Sequence, residues 1–453
     1  MDEEQIIQEI EQNLEEFIEF LRDLIQAESY NPPGNEKNVA LQIDNYLTDA
    51  GIKCEIFPFE ENRANLIASL TDNFEGRNLL YNGHMDVVPP GNEEEWKYPP
   101  LSAYVKGSKA RRKIFGRGAA DMKGALAAMA ISLKILKKLN FTPSGNLILN
   151  AVSDEETGGK VGTGWCLENN LGPIHCDFTV IGETSYLPPL GRAIIVGEKG
   201  HLGITVVTNG IQCHSSMPSL GKNAIEMMSE IMSHIHKMDE YMPVINPPMT
   251  LDKLKSELSA VFPDKEIFEK ILGEQKVLNE LLVALTNYTK NFTLIEAGVK
   301  ENVIPDTCEA NIDFRLLPGH TAEMIVQALT KMIEEDLGYE VRDIPIGNPE
   351  DVFVYLNVGY ETEASYWEEW EKSQFIREFA KVAETVYGHK MIYFLSPGGS
   401  DACFYRNKDY CKETIQFGPG RFSLVHATNE YIDLQDFKDA IKVYTLFAYN
   451  FLK

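Results

Sequence analysis

Histidines and carboxylates recur in short polar motifs along this chain. His84 and Asp86 stand in YNGHMDVVPPG, directly after an apolar run. Comparable motifs carry Asp121 in FGRGAADMKGA, Glu155 and Glu156 in VSDEETGG, Glu183 in VIGETS, and His426 in GPGRFSLVHATNE. Neutral imidazole and carboxylate are the ligands that suit Zn²⁺ and neighbouring divalent ions. These residue types therefore predict a site for one or two divalent metal ions.

The spacing within two of these motifs indicates separate duties for their residues. His84 and Asp86 lie two positions apart, so on a strand their side chains face the same way. A carboxylate beside a ligating imidazole orients the ring and raises its basicity, which predicts that Asp86 aims His84. Glu155 and Glu156 are adjacent and point apart on an extended segment. One of them can bind metal while the other transfers protons.

Each of these residues also has a purely structural interpretation. Asp121 comes directly before a long helical pattern, where Asp is a preferred N-cap. Glu155 and Glu156 could form a solvated loop, and a histidine at a strand end could be an ordinary structural residue. The metal site is absent only if all of these structural interpretations are true at once. The metal site is therefore the favoured interpretation. The other histidines lack a carboxylate pattern: His234 and His236 lie on a charged helix, and His175, His201, His320 and His389 stay unassigned.

The elements that must position these motifs alternate between strand and helix. Short apolar runs predict strands at Leu66–Leu70, Leu79–Tyr81, Leu147–Val152 and Phe178–Ile181. Between them, Met122–Leu139 has the apolar spacing of a helix that packs on a sheet. This alternation is typical of a parallel α/β sheet. Open α/β sheets bind ligands at the carboxyl ends of their strands, so we expect the motifs to meet there.

A second pattern of strand and helix interrupts the first near the middle of the chain. It occurs twice, at Ile204–Thr208 with Asn223–Met238 and at Ile312–Leu316 with Thr321–Leu337. This repetition predicts a small α+β domain inserted into the main one. The predicted division is a main domain formed by residues 1–197 and 351–453, with the inserted domain at residues 198–350.

Composition limits the classes of function. A chain of 453 residues is expected to form more than one domain. The formal net charge of −26 disfavours nucleic acids and anionic membranes as partners. No apolar run is long enough for a membrane span, and the N-terminus has the pattern of an amphipathic helix instead of a secretion signal. Seven cysteines without a C-x-x-C pair fit reduced thiols, so we expect a cytoplasmic protein.

The set of motifs resembles one known family along nearly the whole chain. NGHMDVVPPG, GRGAADMKGALAAM, SDEETGG, IGETS, HSSMP, ENVIP and the late His426 occur in the order found in M20 metallopeptidases. That family includes acetylornithine deacetylase, succinyl-diaminopimelate desuccinylase, glutamate-releasing carboxypeptidases and aminoacylases. The resemblance implies an α/β catalytic domain with a mixed sheet and a dinuclear zinc site. It also implies that the inserted α+β domain acts as a lid and as the surface of a homodimer.

The resemblance implies a role for each residue of the metal site. His84 and Glu183 would bind one ion, Glu156 and His426 would bind the other, Asp121 would bridge them, Asp86 would orient His84, and Glu155 would be the general acid/base. The two ions would most naturally be Zn²⁺, and the same ligands accept Co²⁺ or Mn²⁺.

Other residues resemble the substrate-binding positions of the family. His214 in HSSMP is similar to a lid histidine that completes the active site, often from the partner subunit. Asn302 in ENVIP and Arg315 in DFRLLPG are similar to residues that hold the substrate's carboxylate or carbonyl. Gly399 and Ser400 in SPGGSDACF resemble the substrate loop. From the residues alone, His214 could be a turn histidine and Arg315 a member of a surface pair.

The resemblance predicts amide hydrolysis by a metal-activated water. In this family a glutamate at position 183 accompanies deacylases and carboxypeptidases, so we predict an N-acyl amino acid deacylase of the acetylornithine or succinyl-diaminopimelate type. The alternatives are a carboxypeptidase or dipeptidase acting on short peptides and, from another class, a non-catalytic binding or scaffold protein. Two departures bear on specificity: LIEAGVKENVIP lacks a glycine pair common in relatives, and Lys253–Leu285 is extra helical material in the lid.

Overall fold

The computed structural model describes residues 1–108, 111–171, 176–188, 190–262, 264–274, 276–345, 347–348 and 350–453. The described helices are α1 (Glu3–Gln12), α2 (Leu14–Gln26), α3 (Glu36–Thr48), α4 (Lys123–Lys138), α5 (Trp165–Glu168), α6 (Ala224–His234), α7 (Leu251–Ser259), α8 (Lys265–Glu274), α9 (Lys276–Thr286), α10 (Ala322–Lys331), α11 (Gln374–Tyr387), α12 (Ala402–Asn407) and α13 (Leu434–Leu452).

The described strands are β1 (Lys53–Pro58), β2 (Ala64–Ser69), β3 (Asn78–His84), β4 (Tyr104–Lys106), β5 (Lys113–Phe115), β6 (Asn146–Val152), β7 (Phe178–Ile181), β8 (Tyr186–Leu187), β9 (Gly191–Glu198), β10 (Gly200–Asn209), β11 (Cys213–His214), β12 (Thr289–Ala297), β13 (Val303–Ile304), β14 (Thr307–Leu316), β15 (Val341–Arg342), β16 (Phe353–Thr362), β17 (Ser365–Tyr366), β18 (Ile392–Ser396), β19 (Thr414–Gln416) and β20 (Tyr431–Asp433).

The larger sheet has ten strands in the order β1-β2-β6-β3-β7-β19-β9-β17, with β8 and β18 paired to β9. Its central strands β6, β3, β7 and β19 are parallel, whereas β1 pairs with β2, β2 with β6 and β9 with β19 in antiparallel fashion. Every residue of β3 and β6 is buried, as expected for strands covered on both faces. The predicted strands are confirmed, but the sheet is mixed where residues 65–184 predicted a parallel one.

Helices α4 and α13 cover one face of the larger sheet and contact each other. Helix α4 is buried over most of its length, including Leu126, Met129, Leu133 and Leu136 of the predicted apolar stripe. The long N-terminal helix predicted from the sequence is divided into α1 and α2 at Asn13, whose side chain donates a hydrogen bond to the Glu9 carbonyl. None of the helices in the described ranges combines the length and apolarity needed to cross a membrane.

The second sheet has five strands in the order β12-β14-β10-β16-β15. Buried and half-buried positions alternate along β10, because one face packs on α6 and α10 while the other stays more open. The α+β character of this region and the mixed α/β character of the larger one confirm the predicted fold class. Strand β16 pairs with β10 as far as Thr362, past the predicted boundary at residue 350. The three-part division otherwise stays a prediction.

Two adjacent chain crossings connect the sheets. The first passes from β9 to β10 at Lys199, and the second passes from β16 to β17 at Glu363 and Ala364. A Cβ atom on Gly200 would lie 2.6 Å from the Thr362 carbonyl oxygen and from the Ala364 nitrogen. Glycine is therefore needed where the crossings touch.

The helical segment α7–α9 packs in a place that the sequence did not indicate. We predicted it as extra lid material, but its apolar side chains, including Leu254, Leu258, Leu278 and Leu282, join the core of the larger sheet. Outside that core, Lys253 and Glu371 form an ion pair at 2.7 Å. The segment therefore connects the inserted region to the main domain.

Candidate metal centre and substrate cavity

His84 ends β3 and is held by its own loop. Its Nδ1 lies 2.9 Å from the Asp86 backbone oxygen, and because a carbonyl only accepts, the proton belongs on Nδ1 and Nε2 is free to bind metal. The Asp86 carboxylate lies farther away, at 3.5 Å from Nδ1. Asp86 Oδ2 accepts from Asn31 Nδ2 at 2.8 Å. The main chain of Asp86 thus contributes to aiming His84 along with the carboxylate that we predicted for this role.

The Asp86 carboxylate also organises the loop that follows β6. It accepts hydrogen bonds from the backbone N–H groups of Glu155 at 3.3 Å and Glu156 at 3.2 Å. Asp154, immediately before them, has a φ of 74°, which turns the chain sharply at the strand end. The backbone that carries the Glu155 and Glu156 carboxylates is therefore held in place by Asp86.

Asp121 is not the N-cap that its position suggested. Helix α4 has Met122 at its N-cap, with no side-chain capping bond. Asp121 instead faces two histidines, with Oδ1 at 3.2 Å from His84 Nε2 and Oδ2 at 3.4 Å from His426 Nε2. The capping interpretation is wrong because this carboxylate lies between two imidazoles.

The loop before α4 is organised by Glu430, a residue that sequence reasoning missed. This fully buried carboxylate accepts from the backbone N–H groups of Gly118, Ala120 and Asp121 at 3.1, 2.7 and 3.1 Å. It also accepts from Arg117 Nη1 at 2.8 Å. Nothing in HATNE distinguishes this glutamate from a surface residue, so only the folded chain shows its role.

Two clusters of metal-binding side chains share Asp121. One contains His84, Asp121 and Glu183, the other contains Asp121, Glu156 and His426, and the candidate ligand atoms of each lie within 4.8 Å of one another. Glu183 Oε1 is buried without a hydrogen-bond partner, and His426 Nε2 lies 2.9 Å from Glu156 Oε2. An orphaned carboxylate oxygen and a mixed imidazole and carboxylate set fit two divalent cations.

The pKa shifts of the residues in the clusters indicate that added positive charge would stabilise their carboxylates. Burial and then neighbouring carboxylates raise the pKa of Glu183 and of Glu156. Hydrogen bonds to Asp121 and Glu156 raise the pKa of His426 to about 10. For His84, burial acts to lower the pKa. Hydrogen bonds to the carboxylates of Asp121 and Asp86 outweigh the effect of burial, so the pKa of His84 is raised. Divalent cations would take over the stabilisation of these carboxylates.

Glu155 lies beside the clusters without belonging to either. Its Oε2 is 3.9 Å from His84 Nε2, and the residue lines the adjoining cavity. Burial raises its pKa, and the nearby Glu183 and Glu156 act in the same direction. A carboxylate with these features can accept and return a proton next to a bound substrate.

A cavity of about 340 Å³ adjoins both clusters and is lined from both sheets. Arg315 lines it from β14, where Asp313 holds the guanidinium at two points: Nε to Oδ1 at 3.0 Å and Nη2 to Oδ2 at 3.2 Å. The remaining Nη1 edge is available to a carboxylate. Gly399, predicted in the substrate loop, also lines this cavity.

His201, which we left unassigned, also belongs to this cavity. Its Nε2 lies 2.9 Å from Asp313 Oδ2, opposite Arg315 in the strand register. Burial, followed by the charge of Arg315, lowers the pKa of His201, so the neutral ring donates its Nε2–H to the carboxylate. The view that His201 lacks a carboxylate partner is wrong, because the pairing of β10 with β14 brings Asp313 beside it.

Three predicted substrate residues do not line the cavity within this chain. Ser400 is buried, and its hydroxyl donates to Glu198 Oε2 at 2.6 Å, which makes it part of the support beneath the loop. His214 and Asn302 lie together on the ribbon formed by β11 and β13. His214 is exposed, with Nδ1 2.8 Å from Ser216 Oγ. Asn302 Oδ1 is buried without a hydrogen-bond partner.

Comparison with known proteins places this site in context. Residues 80–450 match the family described as peptidase family M20/M25/M40. A probable succinyl-diaminopimelate desuccinylase of Staphylococcus aureus (strain N315) is 28% identical over 452 residues, which cover 97% of this chain and 98% of the relative. A succinyl-diaminopimelate desuccinylase of Rickettsia felis is 30% identical over 453 residues, covering 96% and 99% of the two chains.

Solved structures share the fold. An M20 family metallo-carboxypeptidase from Sulfolobus solfataricus has a TM-score of 0.73 at 23% identity, covering 96% of this chain and 98% of that one. A dinuclear metal binding peptidase of the M20 family from Bacillus subtilis has a TM-score of 0.63 at 14% identity, covering 98% and 99%. The chain therefore belongs to peptidase family M20/M25/M40, and it is a metal-dependent hydrolase of amide or peptide bonds.

Proposed function

We propose that the protein removes the acyl group from an N-acyl amino acid, using two divalent metal ions. The observation that carries this proposal is the position of Asp121 between the two clusters, 3.2 Å from His84 and 3.4 Å from His426, with Glu155 outside both. Relatives named as succinyl-diaminopimelate desuccinylases support a deacylase.

The residues of the centre have distinct duties in this proposal. His84 and Glu183 would hold one ion, Glu156 and His426 would hold the other, and Asp121, which belongs to both clusters, would serve both. Bound there, divalent ions supply Lewis acidity and lower the pKa of water towards neutrality. Glu155 accepts the proton of the attacking water on its carboxylate and returns it to the nitrogen of the leaving amine.

Two further groups bind the substrate. The free edge of Arg315 holds the carboxylate of the amino acid, a role for which the planar fork of arginine is better suited than lysine. His214 of a second subunit donates to the carbonyl oxygen as negative charge develops on it. In this proposal the protein is a homodimer whose lid regions exchange His214.

A carboxypeptidase or dipeptidase is the second candidate. It would use the same metal ligands and the same proton transfer by Glu155. Arg315 favours it as much as the deacylase, because the carboxylate of a C-terminal residue would meet the same guanidinium edge. The two activities differ only in what is attached to the nitrogen of the departing amino acid.

The test is an assay of chelator-treated protein reloaded with Zn²⁺, Co²⁺ or Mn²⁺. The substrates are N-acetylornithine, N-succinyl-diaminopimelate, N-hexanoyl-leucine and blocked dipeptides. We expect no turnover without metal and restored hydrolysis of an N-acyl amino acid with it. Hydrolysis of the dipeptides alone would replace the deacylase by the second candidate, and absence of both bound metal and turnover would favour a scaffold.

A further inference from the structure

Helix α9 supplies part of the wall of the substrate cavity. Leu281 on this helix lines the cavity together with Leu187 and Ile195 from the β8–β9 hairpin and Phe394 from β18. The acidic clusters and Arg315 line other parts of the same cavity. The cavity thus has the two acidic clusters at one end, the guanidinium of Arg315 and an apolar wall.

Leu281 is held firmly in this wall. The neighbouring Leu278 and Leu282 are buried in the core of the larger sheet. At the end of α9, Lys199 Nζ donates to the carbonyl oxygens of Ala284 at 2.8 Å and Asn287 at 2.7 Å. A helix packed on one side and bound at its carboxyl end keeps the half-buried Leu281 side chain in one position.

The apolar wall limits where a ligand in this cavity can carry a charged group. Arg315 is the only lysine or arginine among the described residues that line it. Lys199 lies two residues before His201 in the sequence and is 2% exposed. Its Nζ donates to the carbonyl oxygens at the end of α9. A substrate carboxylate placed against the wall formed by Leu187, Ile195, Leu281 and Phe394 would lose its water there without meeting a charged partner, which is costly.

We infer that the substrate carries one carboxylate, bound by Arg315, and an apolar group that packs against Leu281. This inference rests on the proposed amide hydrolysis and names its substrate class: a monocarboxylate N-acyl amino acid or short peptide with an aliphatic substituent. Multiply anionic substrates such as N-succinyl-diaminopimelate are disfavoured, although relatives carry that compound in their names.

The experiment compares kcat/KM for N-hexanoyl-leucine and N-succinyl-diaminopimelate in the metal-loaded wild-type protein, Leu281→Arg, Leu281→Ala and Val283→Arg. Val283 is a matched control because it lies on the same helix, is 39% exposed and is outside the described lining of the cavity. The ratio of kcat/KM for the two substrates within one preparation does not depend on the fraction of folded protein, so a poorly folding variant remains informative.

We expect the wild-type protein to prefer N-hexanoyl-leucine by at least about tenfold, the scale at which apolar pockets discriminate. Leu281→Arg should reduce this ratio by at least about tenfold, Leu281→Ala should reduce it less, and Val283→Arg should leave it within about twofold. A wild-type preference for N-succinyl-diaminopimelate, or an equal response of Leu281→Arg and Val283→Arg, overturns the inference and leaves the proposed hydrolysis intact. Failure to hydrolyse any substrate of the full panel, with metal bound, overturns the proposed hydrolysis itself.

Discussion

At the scale of single residues, carboxylates outside the two clusters hold the candidate ligands in position. Asp86 fixes the Glu155 and Glu156 loop through two backbone N–H groups, and Glu430 fixes the Asp121 loop through three. Both are fully buried. A buried carboxylate satisfied by backbone donors is rigid, so these two residues preorganise the site before any ion binds.

We predict that Glu430→Gln weakens metal binding about 10- to 100-fold, the range seen when outer-shell partners are removed. The amide keeps only one accepting oxygen, so it cannot accept from Ala120 and Asp121 at one position and from Gly118 and Arg117 at the other. Competition titration against a chromophoric chelator measures the change. The exposed Glu94→Gln serves as the control, and equal affinities of the two variants would remove Glu430 from this role.

At the scale of elements, apolar periodicity predicted most of the described helices and several central strands of both sheets, but it did not predict which elements pack against each other. Helix α4 begins and ends within one residue of the prediction, and β7 matches it at both ends. The pattern of α7–α9 was also recognised as helical. An apolar face does not encode which core it joins, so the packing of these helices on the larger sheet could not be deduced from their sequence.

The pH dependence of folding stability tests the burial of Lys199, whose Nζ donates to the carbonyl oxygens at the end of α9. Burial lowers the pKa of Lys199 to about 8 from an ordinary value of 10.5. Between these two values the unfolded chain binds more protons than the folded one, so this residue makes the folded protein more stable as pH rises. We predict that the gain in unfolding free energy between pH 8 and pH 10 is smaller in Lys199→Met than in the wild-type protein.

Urea denaturation at the two pH values measures this gain, and the exposed Lys270→Met is the control for loss of one positive charge. An unchanged pH dependence in Lys199→Met would show that its ammonium is as well solvated in the folded protein as in the unfolded chain.

At the scale of the whole molecule, the site draws on distant parts of the chain. The candidate ligands extend from His84 to His426, and Arg315 reaches the cavity from the second sheet. The motifs allowed all of these to be predicted from the sequence, whereas His201, Asp313 and Glu430 depend on strand register and loop packing. His214 and Asn302 do not line the cavity within one chain, and in the proposed function His214 acts in the site of a partner subunit.

Mixing two inactive variants tests that assignment. If His214 acts in the neighbouring site, a hybrid of Glu155→Ala and His214→Ala subunits has one site with both residues intact. Random exchange in a two-fold symmetric dimer then restores about a quarter of wild-type turnover. We predict this recovery after co-refolding of equal amounts. Turnover no higher than that of the separate variants would place His214 in its own subunit's site or outside the reaction.

We propose that two bound ions and the Glu155 carboxylate carry out amide hydrolysis together. The most direct test of this proposal is the turnover of Glu155→Ala measured in the same sample as its metal content. We predict about two divalent ions per chain, as in the wild-type protein, with turnover reduced by at least roughly 10²-fold. Undiminished turnover at that metal content would contradict the account.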